Sequence, residues 1–152
     1  MISDTINAMW IFYALGASVL WGLTYVLNEQ VYKKISIVTS IAITCGATLL
    51  VTIAIAYEKG FLKKDFTAIS NSPQLLRLVI GQTIIFVLAE FFIALSISEK
   101  NATLAGMIEI SYPVFIAFFA YLLYRENSIT VSTFIGSVLI FSGIFIIYHF
   151  NQ

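Results

Sequence analysis

The sequence predicts an all-α integral membrane protein in which five transmembrane helices form a single membrane domain over residues 1–152. Of the 152 residues, 60% are hydrophobic and 11% are charged, whereas soluble domains carry about 25% charged residues. A bilayer core requires about 20 apolar residues per helix. Five stretches meet that requirement, at residues 9–28, 37–57, 73–97, 103–124 and 131–149.

Helix-start signals mark the beginning of four of these spans. Ser36, Asn101 and Thr130 each stand just before a span, where a side-chain oxygen can accept hydrogen bonds from the first free N–H groups of a helix. Ser72 followed by Pro73 provides an N-cap and a first-turn proline for the third span. We therefore expect helices to begin at these positions.

The first span carries a polar and aromatic face. Its members follow one another at spacings of three or four and so share one side of a helix; they are Ser18, Trp21, Tyr25, Asn28 and Tyr32. Lipid-facing positions gain nothing from Asn or Ser, which favours a face turned toward a water-filled cavity or toward protein. The alternative is hydrogen bonding between helices combined with interfacial aromatic residues.

Small residues line one face of the second and fifth spans. The second span has hydroxylated residues at four-residue spacing, namely Ser40, Thr44, Thr48 and Thr52. The fifth has a comparable stripe formed by Ser132, Gly136 and Gly143. Such stripes let helices approach closely, so we expect both to be packing faces. The fifth span would then serve assembly, either within the protomer or between two protomers.

The connection over residues 58–72 is longer than the others. It places Phe61, Leu62 and Phe66 among Lys59, Lys63 and Lys64. We favour a solvated loop here. The alternative is an amphipathic segment lying on the membrane surface.

Two carboxylates lie deep within apolar spans, Glu90 in the third and Glu109 in the fourth. A charge at the centre of a membrane helix is unfavourable by about 2.5–3.5 kcal/mol, so a glutamate at that depth predicts a functional site. We expect both to bind substrate or protons. The alternative for each is a protonated side chain that is hydrogen-bonded across helices.

Further residues of the candidate substrate- or proton-binding site lie near these two carboxylates or on the face of the first span. Gln82 and Phe86 share a helical face with Glu90. In the fourth span, Pro113 has no N–H and leaves the carbonyl of Glu109 without its usual donor. The predicted site therefore comprises Glu109, Glu90, Tyr112, Pro113, Trp21, Tyr25, Asn28, Phe86 and Gln82.

Several classes of function are disfavoured by what the chain lacks. Its formal net charge of zero gives no reason to expect a nucleic-acid partner. An intramembrane enzyme requires a Ser–His pair, paired aspartates or a metal-ligand cluster. The aspartates Asp4 and Asp65 lie outside the spans, and Cys45 and His149 are single. We therefore expect that the protein is not an enzyme and that it binds no metal and no cofactor.

Orientation follows from the distribution of Lys and Arg among the loops. One side collects Lys59, Lys63, Lys64, Arg77 and Arg125, and the other collects Lys33, Lys34 and Lys100. The first side is expected to be cytoplasmic, with the N-terminus inside and the C-terminus outside a cell membrane, inner or plasma. The bias is small, which leaves insertion in both orientations open.

Two stretches of the chain resemble known family motifs. Residues 14–26, with Leu20-Trp21-Gly22, resemble the opening of an EamA-type repeat in the drug/metabolite transporter superfamily. Residues 94–147 are similar to the second half of that repeat, through Ser111-Tyr112-Pro113-Val114-Phe115 and Ser142-Gly143. The chain departs from the pattern after the fourth span, where many relatives have Gly-Glu-Arg and this sequence has Arg125-Glu126-Asn127.

The resemblance implies a transporter built from five-helix repeats, which usually occur twice per chain in inverted orientation. Because this chain has one repeat, the resemblance implies a homodimer of ten helices, most simply antiparallel. We therefore expect an exporter of a small organic solute, either a metabolite or a cationic compound, with the intramembrane glutamates coupling transport to protons or cations. The alternative is a non-transporting membrane subunit that binds a protein partner or a lipid carrier.

Overall fold

The computed structural model describes residues 2–126 and 130–150, with side chains from residue 9 onward. In that part of the chain the secondary structure consists of helices, in the order α1 (Ile2–Tyr32), α2 (Ile37–Glu58), α3 (Phe61–Asn71), α4 (Pro73–Glu99), α5 (Ala102–Glu109), α6 (Tyr112–Tyr124) and α7 (Val131–Phe150). Five stretches are long and apolar enough to cross a membrane: Met9–Tyr32, Ile37–Glu58, Pro73–Glu99, Ala102–Tyr124 and Val131–Phe150. The prediction of five spans is confirmed, and the protein is a multi-pass membrane protein.

The first span extends four residues beyond its predicted end at residue 28. Its last turn contains Glu29, whose Oε1 lies 3.1 Å from the Nζ of Lys33 in an i,i+4 ion pair. Pairs of this kind stabilise the end of a helix after its apolar stretch has finished. The hydrophobic pattern therefore underestimated the length of α1.

All four predicted helix-start residues act as caps. Ser36 accepts a hydrogen bond from the N–H of Thr39 at 3.2 Å, and Ser72 accepts one from Leu75 at 3.2 Å. Asn101 Oδ1 accepts from Leu104 at 2.8 Å, and Thr130 Oγ1 accepts from Thr133 at 3.2 Å. Each bond satisfies one of the N–H groups that a helix leaves free in its first turn.

The favoured interpretation of residues 58–72 as a solvated loop is wrong, because Phe61–Asn71 forms the helix α3. Gly60 separates it from α2 with a φ of +70°, in the left-handed region that glycine adopts without strain. Helix α3 contacts α2. Its residues Leu62 and Ile69, seven positions apart, are half-buried, whereas Lys63 and Lys64 are exposed. The period of the apolar residues is thus helical.

The described residues cluster into two compact units. The first unit contains the chain up to Leu27 and from Glu99 onward, and the second contains Asn28–Ser98. In the first unit α5 contacts α7, and Ala102 and Ala105 of α5 are buried. In the second unit the buried residues include Ile97, which is 1% exposed. Three of the four buried apolar residues in the described chain are alanines, Ala94, Ala102 and Ala105, and small side chains of this kind let helices approach closely.

Large apolar side chains on all five spans are exposed. In the most apolar window of each span, at most 6% of the residues are buried. In water such a surface would drive association, whereas in a bilayer the lipid tails cover it. The exposure therefore agrees with the membrane location.

The small-residue stripes are used only in part for packing within the described chain. Ser40 is buried, whereas the hydroxyls of Thr48 and Thr52 are exposed and donate to backbone carbonyls four residues earlier, at 2.9 and 2.8 Å. A Cβ added at Gly136 or Gly143 would have no atom within 4 Å. No close packing within the described chain accounts for these two glycines, so their role between protomers stays a prediction.

The end of α6 has an unusual backbone. Arg125, which follows the last residue of α6, has a φ of +58°. Its N–H donates to the carbonyl of Tyr121 at 3.0 Å, and its guanidinium lies 5.7 Å from the centre of the Tyr121 ring. The left-handed conformation is strained for a residue with a side chain. Asn127 of the same motif lies outside the described residues.

Candidate functional site

The fourth span is interrupted at Glu109. Helix α5 ends at this residue and α6 begins at Tyr112, with Pro113 in its first turn. The intervening N–H of Ser111 donates to the carbonyl of Ile108, three residues earlier, at 3.2 Å. Since Pro113 has no N–H, the Glu109 carbonyl lacks its ordinary α-helical donor. The prediction that Pro113 disturbs the helix at Glu109 is confirmed.

The side chain of Glu109 is hydrogen-bonded to the first span. The phenolic O–H of Tyr25 donates to Glu109 Oε2, and both side chains are half-buried. The two residues are 84 positions apart in sequence, so the bond joins α1 to α5 within the first unit. In the described part of the chain, no Lys or Arg forms an ion pair with Glu109.

Gly106 lies next to the Tyr25 ring. A Cβ added to Gly106 would lie 3.2 Å from Cδ2 and 3.5 Å from Cε2 of Tyr25. Gly106 precedes Glu109 by three residues and therefore shares its face of α5. Gly106 was not among the predicted site residues. The available signal was a glycine one turn before an intramembrane carboxylate.

Trp21 extends the aromatic part of this site. Its ring meets that of Tyr25 edge-on, with the ring centres 6.0 Å apart and an interplanar angle of 70°. Of the predicted face of the first span, Tyr25 contacts Glu109 and Trp21 contacts Tyr25. Tyr112 lies at the start of α6 with an exposed side chain. We call Trp21, Tyr25, Gly106 and Glu109 the Tyr25–Glu109 site.

Glu90 and its predicted neighbours belong to the second unit. The Glu90 carboxyl is half-buried and lies within electrostatic range of the Tyr32 hydroxyl at the end of α1. Asn28 is half-buried, whereas Gln82 and Phe86 are exposed. Glu90 therefore also lies near a tyrosine of the first span, a pairing that the local sequence pattern does not predict.

The described residues contain no group of three or more His, Cys, Asp or Glu side chains that could hold a metal ion. The Tyr25–Glu109 site offers one carboxylate, one phenol and aromatic ring faces. These groups can bind a proton or a cationic group.

An open cavity of about 810 Å³ lies between α6 and α7. Its lining is apolar except for Thr133, Ser137 and Ser142 of α7. The hydroxyls of Ser137 and Ser142 each donate to the backbone carbonyl four residues earlier, at 2.8 Å. None of the residues of the Tyr25–Glu109 site lines it. The cavity therefore suits an apolar occupant and holds no ionisable group.

The comparison with known families gives one match. The family model of the EamA-like transporter family matches residues 8–149, which includes all residues of the Tyr25–Glu109 site. No curated protein and no solved structure gave a significant match to the chain.

Proposed function

Because the chain belongs to the EamA-like transporter family, we propose that it exports a small organic solute, a metabolite or a cationic compound. In this proposal Glu109 is the group that couples solute movement to protons or cations. The observation that carries it is the Tyr25 hydrogen bond to Glu109, at a break in a membrane span and without a paired Lys or Arg in the described chain.

The physical basis is the high free energy of an uncompensated charge in a membrane. A carboxylate among apolar helices is stabilised when it takes up a proton or when a cationic group comes near. The two events exclude each other at one carboxyl group. Arrival of a cationic solute at Glu109 would therefore release a proton, and its departure would allow the proton to return.

The aromatic rings beside Glu109 add a binding surface for such a solute. Trp21 and Tyr25 meet edge-on, so part of each ring face remains available to a cation. Cation–π contacts contribute about 0.5–2 kcal/mol, depending on how far the cation is desolvated. Tyr112, exposed at the start of α6, is proposed as a further aromatic contact.

We propose that Glu90, the second intramembrane carboxylate, also binds substrate or protons. The phenol of Tyr32 lies within electrostatic range of it in the second unit. Asn28, which is half-buried in the same unit, is proposed as a further polar contact for the solute. The exposed Gln82 and Phe86 continue the same face of α4 and would contact the solute.

We further propose that two chains assemble as a homodimer, most simply antiparallel, in the cell membrane. The described residues of one chain supply five spans, and inverted repeats place a transport pathway between them. The open glycines of α7, together with Ser132, form the proposed contact face. The Lys and Arg distribution favours a cytoplasmic N-terminus, with a bias small enough for insertion in both orientations.

The decisive experiment is pH-dependent flux in proteoliposomes, screened across organic cations, amino acids and nucleosides. Glu109→Gln and, separately, Glu90→Gln are compared with wild type. The matched control is Glu58→Gln, the same change at an exposed residue at the end of α2. We expect Glu109→Gln to lose the pH dependence and Glu58→Gln to retain it. Unchanged pH-dependent flux in both intramembrane variants would refute the coupling mechanism.

The cavity between α6 and α7 favours a second candidate, a non-transporting subunit that binds a protein partner or a lipid carrier. Its volume of about 810 Å³ and its apolar lining fit a hydrocarbon chain or a helix face. Stoichiometry separates the two candidates. An obligate complex with a different chain, or a single fixed orientation without self-association, would favour the second.

A further inference from the structure

We propose that Gly106 is a positioning residue, which holds the phenol of Tyr25 on the carboxyl group of Glu109 by leaving space for its ring. Its consequence for transport rests on the proposed function of Glu109. The structural part of the proposal can be tested without any transport measurement.

The Tyr25 ring leaves too little space for a side chain at Gly106. An added Cβ at Gly106 would lie 3.2 Å from Cδ2 of Tyr25, closer than ordinary van der Waals contact, and 3.5 Å from Cε2. The ring would have to move by a few tenths of an ångström. That movement would displace the hydroxyl from Glu109 Oε2, and hydrogen bonds weaken steeply as their geometry departs from the optimum.

The close contact is specific to this glycine. The chain contains 8 glycines, all within the described residues. At the other seven, an added Cβ would have no atom within 4 Å. Glycine weakens a helix relative to alanine, and among these eight described glycines Gly106 alone has a neighbouring ring that an added Cβ would meet.

This arrangement gives Tyr25 a defined role at the carboxyl group. With the ring held against α5, the hydroxyl of Tyr25 donates to Oε2 of Glu109. A cationic solute that binds this oxygen must compete with the hydroxyl. Gly106 would then influence how readily a cationic solute replaces the Tyr25 hydroxyl at Glu109, although Gly106 itself does not contact the solute.

The test is infrared spectroscopy of the purified protein in lipid bilayers. The Glu109 carboxyl band is assigned by its loss in Glu109→Gln, and its position is compared in wild type, Gly106→Ala and Tyr25→Phe. The matched control is Gly81→Ala, the same change at a half-buried helical glycine with open space around it. We expect Gly106→Ala to shift the band in the same direction as Tyr25→Phe, and Gly81→Ala to leave it unchanged.

A double variant tests whether the effect passes through the phenol. In the Tyr25→Phe background the hydroxyl is already gone, so adding Gly106→Ala should shift the Glu109 band no further. An unshifted band in Gly106→Ala, or an equal additional shift in that background, would overturn the proposal.

If Gly106→Ala fails to fold, the double variant Gly106→Ala with Tyr25→Ala decides the matter, because it removes the ring that the new methyl group meets. Recovery of folded protein supports the proposal, and failure to recover overturns it. Failure of the proposed transport function would be detected by a different measurement: wild type and Glu109→Gln would then have the same flux. The band positions of the Gly106 and Tyr25 variants would still test the positioning role of Gly106.

Discussion

Removing the Tyr25 hydroxyl should destabilise the protein through one identified bond. Tyr25→Phe retains the ring, which meets Trp21 edge-on and lies against Gly106. It deletes the O–H that donates to Glu109 Oε2. The change therefore isolates the link between α1 and α5 from the aromatic packing around it.

The magnitude follows from where this bond lies. Hydrogen bonds to charged groups contribute about 1.5–3 kcal/mol in soluble proteins, whereas polar pairs between membrane helices average about 0.6 kcal/mol, with a maximum of about 1.7 kcal/mol. Tyr25 and Glu109 are on two different spans and are half-buried. We therefore expect a loss of about 1 kcal/mol, which is about a fivefold change in the unfolding equilibrium constant.

The assay is reversible unfolding in mixed micelles by titration with a denaturing detergent. The matched control is Tyr13→Phe, the same deletion on the same helix at a side chain that is 69% exposed. Glu109→Gln is the second comparison, because glutamine keeps an oxygen that can accept from Tyr25. It should lose less stability than Tyr25→Phe. The reasoning is refuted if Tyr25→Phe and Tyr13→Phe agree within about 0.3 kcal/mol, the usual error of additivity.

Three further predictions concern stability and use the same unfolding assay. Arg125→Gly should be more stable than Arg125→Ala by about 1 kcal/mol, because glycine adopts a φ of +58° without strain. Asn101→Ala should lose about 1 kcal/mol, because the Leu104 N–H loses its 2.8 Å acceptor. Ile97→Ala should lose about 2–5 kcal/mol, because the side chain is 1% exposed and its removal leaves a cavity.

Each of these changes has a control within the chain. Arg125→Ala removes the contact with the Tyr121 ring but keeps the backbone strain, so it should be the least stable variant at that position. Asn101→Asp keeps an acceptor and should remain near wild type. Ile85, which is 69% exposed, should tolerate alanine far better than Ile97. The stated causes would be contradicted if Arg125→Gly equalled Arg125→Ala, if Asn101→Asp equalled Asn101→Ala, or if Ile85→Ala and Ile97→Ala lost the same stability.

Local sequence signals predicted the helical framework well because they depend on short-range chemistry. Apolar length predicted the five spans, and the side-chain oxygens of Ser36, Ser72, Asn101 and Thr130 predicted their starts. Pro113 predicted the disturbance at Glu109, because a missing N–H acts on a carbonyl four residues away. The failure was α3, where lysines among aromatic residues favoured a loop although the apolar spacing was helical.

The candidate site was predicted less completely, because its key contacts join distant parts of the chain. Trp21, Tyr25 and Glu109 were identified individually as unusual for a membrane span, but nothing in their local patterns paired Tyr25 with Glu109. Gly106 was missed because a single glycine in a helix has many explanations until a neighbouring ring is seen against it. The left-handed conformation of Arg125 was likewise not predicted, because residues with a side chain rarely adopt a positive φ.

By itself, the sequence determined that this is a five-span helical membrane protein with two intramembrane glutamates, and that a proline interrupts the fourth span beside one of them. Composition, apolar length and the chemistry of capping residues act locally, so they can be read along the chain. Only the tertiary structure decided which side chains meet: the phenol of Tyr25 on Glu109, and its ring on Gly106. The physical reason is that helix packing, which brings together residues 84 positions apart, depends on the shapes of whole helix faces.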